Sequence, residues 1–440
     1  MRIDVLRAGM TGRVTAPEDD GWDAARLFHS GIGEPAVIVR PGSVQDVVAA
    51  VRWAAEEGQP INVRGGGHSA WGTLPGGLTV DLAELNGVDV EGTVVRVGGG
   101  ATWGAVAATL AEHGLGISSG DTASVGVGGL TLGGGIGWMV RAWGLAADQL
   151  LGAQLVTPAG ELAEVSAASH PELFWALRGG GGNFGVVTRF DFRAHALPGV
   201  VFAELSVPGD VRPVLRALRD TLRHAPRELT VTYMDVPAMD PSAPAGATIT
   251  ACWIGEDVDA ALAALGPLLA VDGVLVTDVS ARSYPDVLMD MPPFDPDQPM
   301  PGFIGGNTLL VEPDDDVLDA LASFREAHEA SVLFLRSLGG AFGDVGPDES
   351  AFPARNATWF AMAGVFDLPG TTDEQRAAIN AEWSAIAARG AGVYGNFTQE
   401  VDGSVVTRIF SPESMARLGE VKREWDPRNL FSRNHNVMPV

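Results

Sequence analysis

Three glycine clusters limit what this 440-residue chain can fold into. The first is Gly65-Gly66-Gly67, in a stretch from Val63 to Gly72 that continues at once with His68 and Ser69. The second runs from Gly126 through Gly128, Gly129, Leu130, Leu132, Gly133, Gly134 and Gly135 to Gly137. The third spans 179–185 and contains Gly182 and Asn183. Glycine has no Cβ, so each cluster lets the backbone turn tightly and brings bare N–H groups up to a ligand. A single cluster would read as a flexible turn. Three clusters, each beside an expected strand, predict a groove walled by backbone for a large anionic cofactor. His68 stands where its ring would touch whatever the first loop holds.

Several nucleotide and catalytic signatures are excluded. Gly180, Gly182 and Gly185 satisfy G-x-G-x-x-G, but a dinucleotide site of that type needs a helix next, and Val186-Val187-Thr188-Arg189-Phe190 reads as a strand. No G-x-x-x-x-G-K-[ST] is present, and no G-x-S-x-G elbow. The histidines show no H-x-x-x-H pair, and a lone cysteine rules out C-x-x-C. His29, His113, His170, His195, His224 and His328 read as surface or helix-end residues, and no metal is expected.

A net charge of −26 with no Lys/Arg run argues against nucleic acid or an anionic membrane as partner. An anionic cofactor would therefore be held by backbone amides, helix N-termini and an occasional arginine. With Cys252 the only cysteine, no intrachain disulfide forms, which suits a cytoplasmic location. Met1-Arg2-Ile3-Asp4 opens no signal peptide, and the most apolar stretch, 260–271, is interrupted by Gly266 and Pro267.

Along the chain, a strand at 36–39, a helix over 47–55 and a strand at 61–63 form a β-α-β unit whose second strand feeds the first glycine cluster. Ser43 with Asp46 resembles a capping box, and Gly58 sits where a helix ends. Further strands are expected at 78–82 and 94–97, then a helix over 103–113 capped by Thr102. A hairpin is expected at 150–158 and 161–165, a short helix at 170–177 and a strand at 186–192. The glycine clusters stop near Pro198. Strands at 229–236, 247–254, 303–311 and 358–366 then alternate with helices at 211–224, 257–269, 315–335 and 372–389. The tail carries Tyr394-Gly395-Asn396-Phe397, a helix at 412–425 and Trp425-Asp-Pro-Arg-Asn-Leu-Phe431.

These motifs resemble those of the FAD-linked oxidases of the vanillyl-alcohol-oxidase type, in the berberine-bridge-enzyme-like branch. In character the chain is most similar to the 6-hydroxynicotine-oxidase-like bacterial members. The resemblance rests on Arg64-Gly-Gly-Gly-His68-Ser69, the run 124–137, Gly144-Leu-Ala-Ala-Asp148 with 152–160, the stretch 171–188 and the tail motifs. It implies an α+β fold: a PCMH-type FAD-binding domain at 1–200 (subdomains 1–90 and 91–200), an α+β substrate domain with a helix-covered antiparallel sheet at 201–391, and a segment 392–440 returning to the FAD domain. It implies FAD bound by Arg64, Gly65, Gly66, Gly67, His68, Ser69, Gly72, Gly120, Asp121, Thr122, Ser124, Val125, Gly128, Gly129, Leu132, Gly134, Gly135, Gly137, Trp138, Asp148, Gly182, Asn183, Val186, Val187, Asn434 and Asn436. His68 takes the place of the histidine that bonds the flavin 8α-methyl.

Departures from the family pattern sharpen the expectation. Thr122 stands where many relatives have a second, cysteinyl link, so one link is expected. Val125 falls at an oxygen-access position usual in oxidases, and Leu130 where plant relatives often have histidine. Phe397 replaces the aromatic base of a Tyr-x-Asn-Tyr motif, leaving Tyr394 and Asn396 beside it at the catalytic position. Alcohol oxidation needs a proton acceptor, whereas a neutral amine needs no dedicated base. The expectation is an FAD oxidase taking a hydride from a C–H next to N or O of a small, secondary-metabolite-like substrate, with O2 as acceptor, acting as monomer or homodimer. A flavin-dependent oxygenase or cyclase on a polyketide-like chain and a non-catalytic flavin-binding protein are the alternatives. Tyr233, Trp253, Asn307, Trp359 and Met362 are the candidate substrate-facing residues, each equally readable as core packing.

Overall fold

The computed structural model describes residues 2–237, 246–291, 294–297, 301–398, 400–401 and 403–440. The β-α-β unit forms as the pattern predicts: strand Val37–Arg40, helix Val44–Glu57 and strand Ile61–Arg64. Ser43 Oγ accepts from Asp46 N–H at 3.2 Å, and Gly58 closes the helix at φ +63°. The capping box itself is corrected. The Asp46 carboxylate accepts instead from the backbone N–H groups of Thr11, Gly12 and Gly42, each at 2.9 Å, and so ties the N-terminal segment to the helix start. The two strands flank Leu78–Asp81, both parallel to it, and Arg13–Thr15 adds an antiparallel edge beside Val37–Arg40. Val47, Val51 and Ala54 on the helix pack against Val37, Val39 and Val80 of the sheet.

A second, antiparallel sheet follows in the order Leu162–Ser166, Leu150–Val156, Val186–Arg193, Val94–Gly98, Val88–Glu91. Val156 and Val186 reach back into the first core and join the two sheets. Helix Trp103–Ala111, capped by Thr102, covers it through Trp103, Val106 and Leu110. The densest glycine cluster is partly helical, over Val127–Leu132.

The third sheet has seven antiparallel strands in the order Leu275–Arg282, Val200–Val207, Ala247–Ile254, Leu229–Asp235, Ser331–Ser337, Trp359–Asp367, Gly302–Leu310. Helices Arg212–His224, Val258–Leu269, Asp315–Ala327 and Asp373–Ala387 contribute Leu218, Leu265, Leu321 and Ile379 to the core on one face. The other face lies on the glycine-rich half through Phe202, Cys252, Phe360 and Leu309. Strands Val200–Val207 and Leu275–Arg282 are additions to the expected set. The helix expected over 315–335 is corrected: it ends at Ala327, and Ser331–Ser337 is a central strand. Val332, Leu333 and Leu335 are all buried because both faces of this strand are covered, and such an unbroken apolar run reads the same as a buried helix. The tail helix Pro412–Trp425 returns to the second sheet's core through Leu418 and Val421.

Candidate active site

The first glycine loop is clamped from behind. Arg64, nearly buried, donates to Asp81 at 2.6 Å and to the carbonyls of Ala25 and Leu27 at 2.9 and 3.0 Å. Its guanidinium also lies 4.6 Å over the Phe28 ring. That ring fills the slot beside Gly72, where a Cβ would come within 2.4 Å of it. The Arg64 side chain and the Cβ direction of Gly72, both residues expected at the cofactor, are turned to the loop's back. Two more bonds complete the clamp, His29 N–H to Gly67 O at 3.0 Å and Ser30 Oγ to Ser69 O at 2.8 Å.

His68 is half-buried in this loop, with Nε2 3.1 Å from Ser124 Oγ. Its ring stacks on that of His29 at 4.0 Å between centroids and 14° between planes. Burial, reinforced by the neighbouring His29 and opposed by Ser124, lowers its pKa from 6.5 to about 4. A neutral imidazole results, the form with a lone pair to give. His29 was expected at the surface, and its place at the site is a correction. Nothing in the sequence signals it, because the hairpin Leu27–Phe28 with Gly31–Ile32 is too short to show a period.

The three glycine clusters meet. A Cβ on Gly66 would lie 2.3 Å from Gly126 N and 2.7 Å from Ser124 O, so the first and second need glycine for mutual approach. Leu132 O accepts from Gly179 and Gly181 N–H at 3.0 and 2.9 Å, which joins the second to the third. Gly137 is packed against Ser119 O and Gly135 against Ala146, so these two serve the fold. Gly129 differs: a Cβ there would meet nothing within 4 Å, and one on Gly182 would meet only Asn434 Nδ2 at 3.9 Å. Beside Gly182, Asn434 Oδ1, His435 Nδ1 and Asn436 Oδ1 are buried with no partner from the protein. Open-faced Gly182 next to orphaned polar atoms fits a long polar cofactor such as FAD, with its many acceptors and donors.

Other expected cofactor residues make contacts within the protein around this groove. Asn183, fully buried, donates to Gly180 O and His435 O and accepts from Val437 N–H, which locks the tail onto the third cluster. Asp148 takes both arms of Arg355, at 2.7 and 2.9 Å. Val186 and Val187 are core residues, and so is most of Leu132. Asp121 pairs with buried Arg336 at 2.6 Å, and that guanidinium lies 4.5 Å over Trp138. Thr122, between Asp121 and Ala123, bridges Met289.

On the sheet side the wall is aromatic. Phe397 lies 5.0 Å from Phe360, 5.6 Å from Tyr394 and 6.4 Å from Phe334. Met362 packs in the same cluster. The Tyr394 hydroxyl oxygen is within reach of Gly135 N–H, Ile136 N–H and Asn396 Nδ2 at 3.0–3.2 Å. Burial pushes its pKa up against those donors. Asn396 Nδ2 also donates to Leu130 O at 3.0 Å.

Of the five candidate substrate-facing residues, the structure keeps one on this wall, Met362. Tyr233, Trp253 and Trp359 are corrected: they lie on the helix-covered face with Leu218 and Leu321. Alternation marks two faces of a strand but does not say which one a neighbour covers. Asn307 is also corrected, as a brace: Nδ2 donates to Tyr394 O and Phe397 O, and Oδ1 accepts from Tyr394 N–H at 2.8 Å.

Comparison with known proteins agrees. A family model described as FAD binding domain matches residues 35–166, and one described as berberine and berberine like matches residues 393–438. The (R)-6-hydroxynicotine oxidase of Paenarthrobacter nicotinovorans is 31% identical over 97% of each chain. A solved structure of 6-hydroxy-D-nicotine oxidase from Arthrobacter nicotinovorans superposes with a TM-score of 0.81 at 28% identity over 98% of both chains. A glucooligosaccharide oxidase from Acremonium strictum, whose FAD is 6-S-cysteinyl and 8α-N1-histidyl, shares the fold with a TM-score of 0.85 at 23% identity over 100% of both chains. The chain belongs to the FAD-linked oxidases of the berberine-bridge-like branch, and it is an FAD-dependent oxidoreductase.

Proposed function

We propose that this chain is an oxidase with a single histidyl–flavin bond at His68, taking a hydride from a C–H beside the nitrogen of a small amine and passing the electrons to O2. FAD supplies the two-electron acceptor. His68 and Ser69 hold its benzenoid end, and the orphaned side-chain oxygens of Asn434 and Asn436 meet its polar remainder. Threonine at 122 has no thiol to give, which supports one link only.

The observation that carries the amine is Phe397. It is 42% exposed in an aromatic wall, where a base would be needed for an alcohol, and the adjacent Tyr394 hydroxyl is committed to three N–H groups. The nearby Asp121 carboxylate is matched by Arg336. A neutral amine loses hydride without first surrendering a proton, so this wall suffices. Ring faces around it also favour a molecule with cationic or aromatic character in the encounter complex.

The test is anaerobic mixing of the yellow holoenzyme with panels of small amines, alcohols and oligosaccharides. Bleaching by an amine, recovery of colour in air and one H2O2 per product lacking two hydrogens support the reading. Bleaching by alcohols or sugars alone overturns the amine assignment. A product that gains oxygen overturns the oxidase assignment. An acid-precipitated pellet without colour overturns the His68 bond.

A further inference from the structure

We propose that His29 is the positioning residue for the His68–flavin bond: its ring, stacked on His68, fixes the plane in which the imidazole offers its lone pair. The inference rests on the His68 reading above. Histidine χ2 is a broad torsion with no deep staggered wells, so an unrestrained imidazole samples many planes. Two contacts restrain this one from different directions. Ser124 Oγ holds an in-plane edge, with Nε2 at 3.1 Å, and the His29 ring lies on the face at 4.0 Å and 14°.

The placement of His29 is over-determined. Its own N–H donates to Gly67 O, Phe28 on one side fills the slot beside Gly72, and Ser30 on the other donates to Ser69 O. Arg64 adds bonds to Ala25 and Leu27. The hairpin and the loop therefore move as one piece.

The bond needs that restraint. The lone-pair nitrogen would bond the flavin C8 methyl carbon, the methyl would lose one hydrogen as a proton, and the ring's other nitrogen would lose its own hydrogen as a proton. The two electrons released pass through the flavin ring to O2, which takes up two protons as H2O2. A nitrogen whose lone pair points out of line with the methyl carbon reacts slowly, and a misplacement of about 1 Å costs on the order of 100-fold. Two rings at 4.0 Å also disfavour a second proton on the pair, which keeps the nucleophile neutral.

The full-length chain, purified with flavin bound and supplemented with FAD in air, tests this. Acid-stable flavin over time gives the rate of bond formation, and acid-released plus acid-stable flavin gives total occupancy. His29→Ala is expected to slow bond formation roughly 100-fold at unchanged occupancy. His29→Phe, which keeps a stacking ring, is expected to recover most of the rate. A wild-type rate in His29→Ala overturns the proposal. So does occupancy falling in step with rate, which marks a merely structural role, and so does His29→Phe as slow as His29→Ala. Failure of the underlying reading is seen separately, as absence of acid-stable flavin from the wild type itself.

Discussion

At the scale of single residues, the site separates groups that hold a ligand from groups that hold the protein. His68 has its pKa lowered to about 4, first by burial and then by His29. The sign follows: the folded site stays neutral while an unfolded histidine takes up a proton near 6.5. Formation of acid-stable flavin is therefore expected to stay level as pH falls from 8 through about 6.5, and to decline only towards about 4. A half-point near 6.5, measured on the full chain, contradicts the buried-histidine account. Tyr394→Phe removes one acceptor from Gly135, Ile136 and Asn396, at a site 1% exposed. Thermal unfolding is expected to show a loss of about 1–3 kcal/mol, with the pH dependence of turnover unchanged. His68 and the glycines were legible in the sequence because a glycine run announces a backbone requirement. His29 was not, because a ring stack across a two-stranded hairpin follows no period.

At the scale of elements, local patterns served well at Val44–Glu57 and failed at one central strand buried on both faces. Helix Val44–Glu57, with Ser43 before it and Gly58 after it, reads directly from sequence. Strand Ser331–Ser337 does not, since covering both its faces erases the alternation. A different ambiguity, which face the cofactor half covers, misplaced Tyr233, Trp253 and Trp359, which lie on the helix-covered face of correctly expected strands. The tail helix shows a different device. Lys422 and Asp426, one turn apart and fully buried, pair at 2.8 Å. Lys422 Nζ donates also to Asn183 O and Phe431 O, and Asp426 accepts from the N–H groups of Leu430 and Phe431. Lys422→Ala strands a buried carboxylate and is expected to cost about 3–5 kcal/mol in thermal unfolding. Loss of bound flavin should accompany it, because Asn434 and Asn436 lie on the segment this pair anchors.

At the scale of the whole molecule, the glycine-rich half and the seven-stranded sheet share a broad apolar contact crossed by buried arginines, Arg141 among them. Arg141, 6% exposed on the short helix Val140–Trp143, donates to the carbonyls of Leu222, Ala225, Leu229 and Leu338. Leu222 and Ala225 lie at the C-terminal end of helix Arg212–His224, the negative end of its dipole. Burial lowers its pKa to about 10, still high enough to keep it charged. Arg141→Met leaves those carbonyls buried without a donor. The expected result is a lower unfolding temperature and, by calorimetry, separation of one transition into two as the halves uncouple. A single transition at the wild-type temperature contradicts this.

The hairpin clamp bears on portability. His68, the proposed nucleophile, sits in a ten-residue motif, but its two restraints come from residue 29 and residue 124, on segments far away along the chain. Transplanting the glycine loop into another scaffold would carry the reactive atom and leave its aim behind. A minimal transferable unit for flavin attachment from this protein comprises three segments, the hairpin, the loop and the turn at Ser124, with Asp81 as the counter-charge that keeps Arg64 in place.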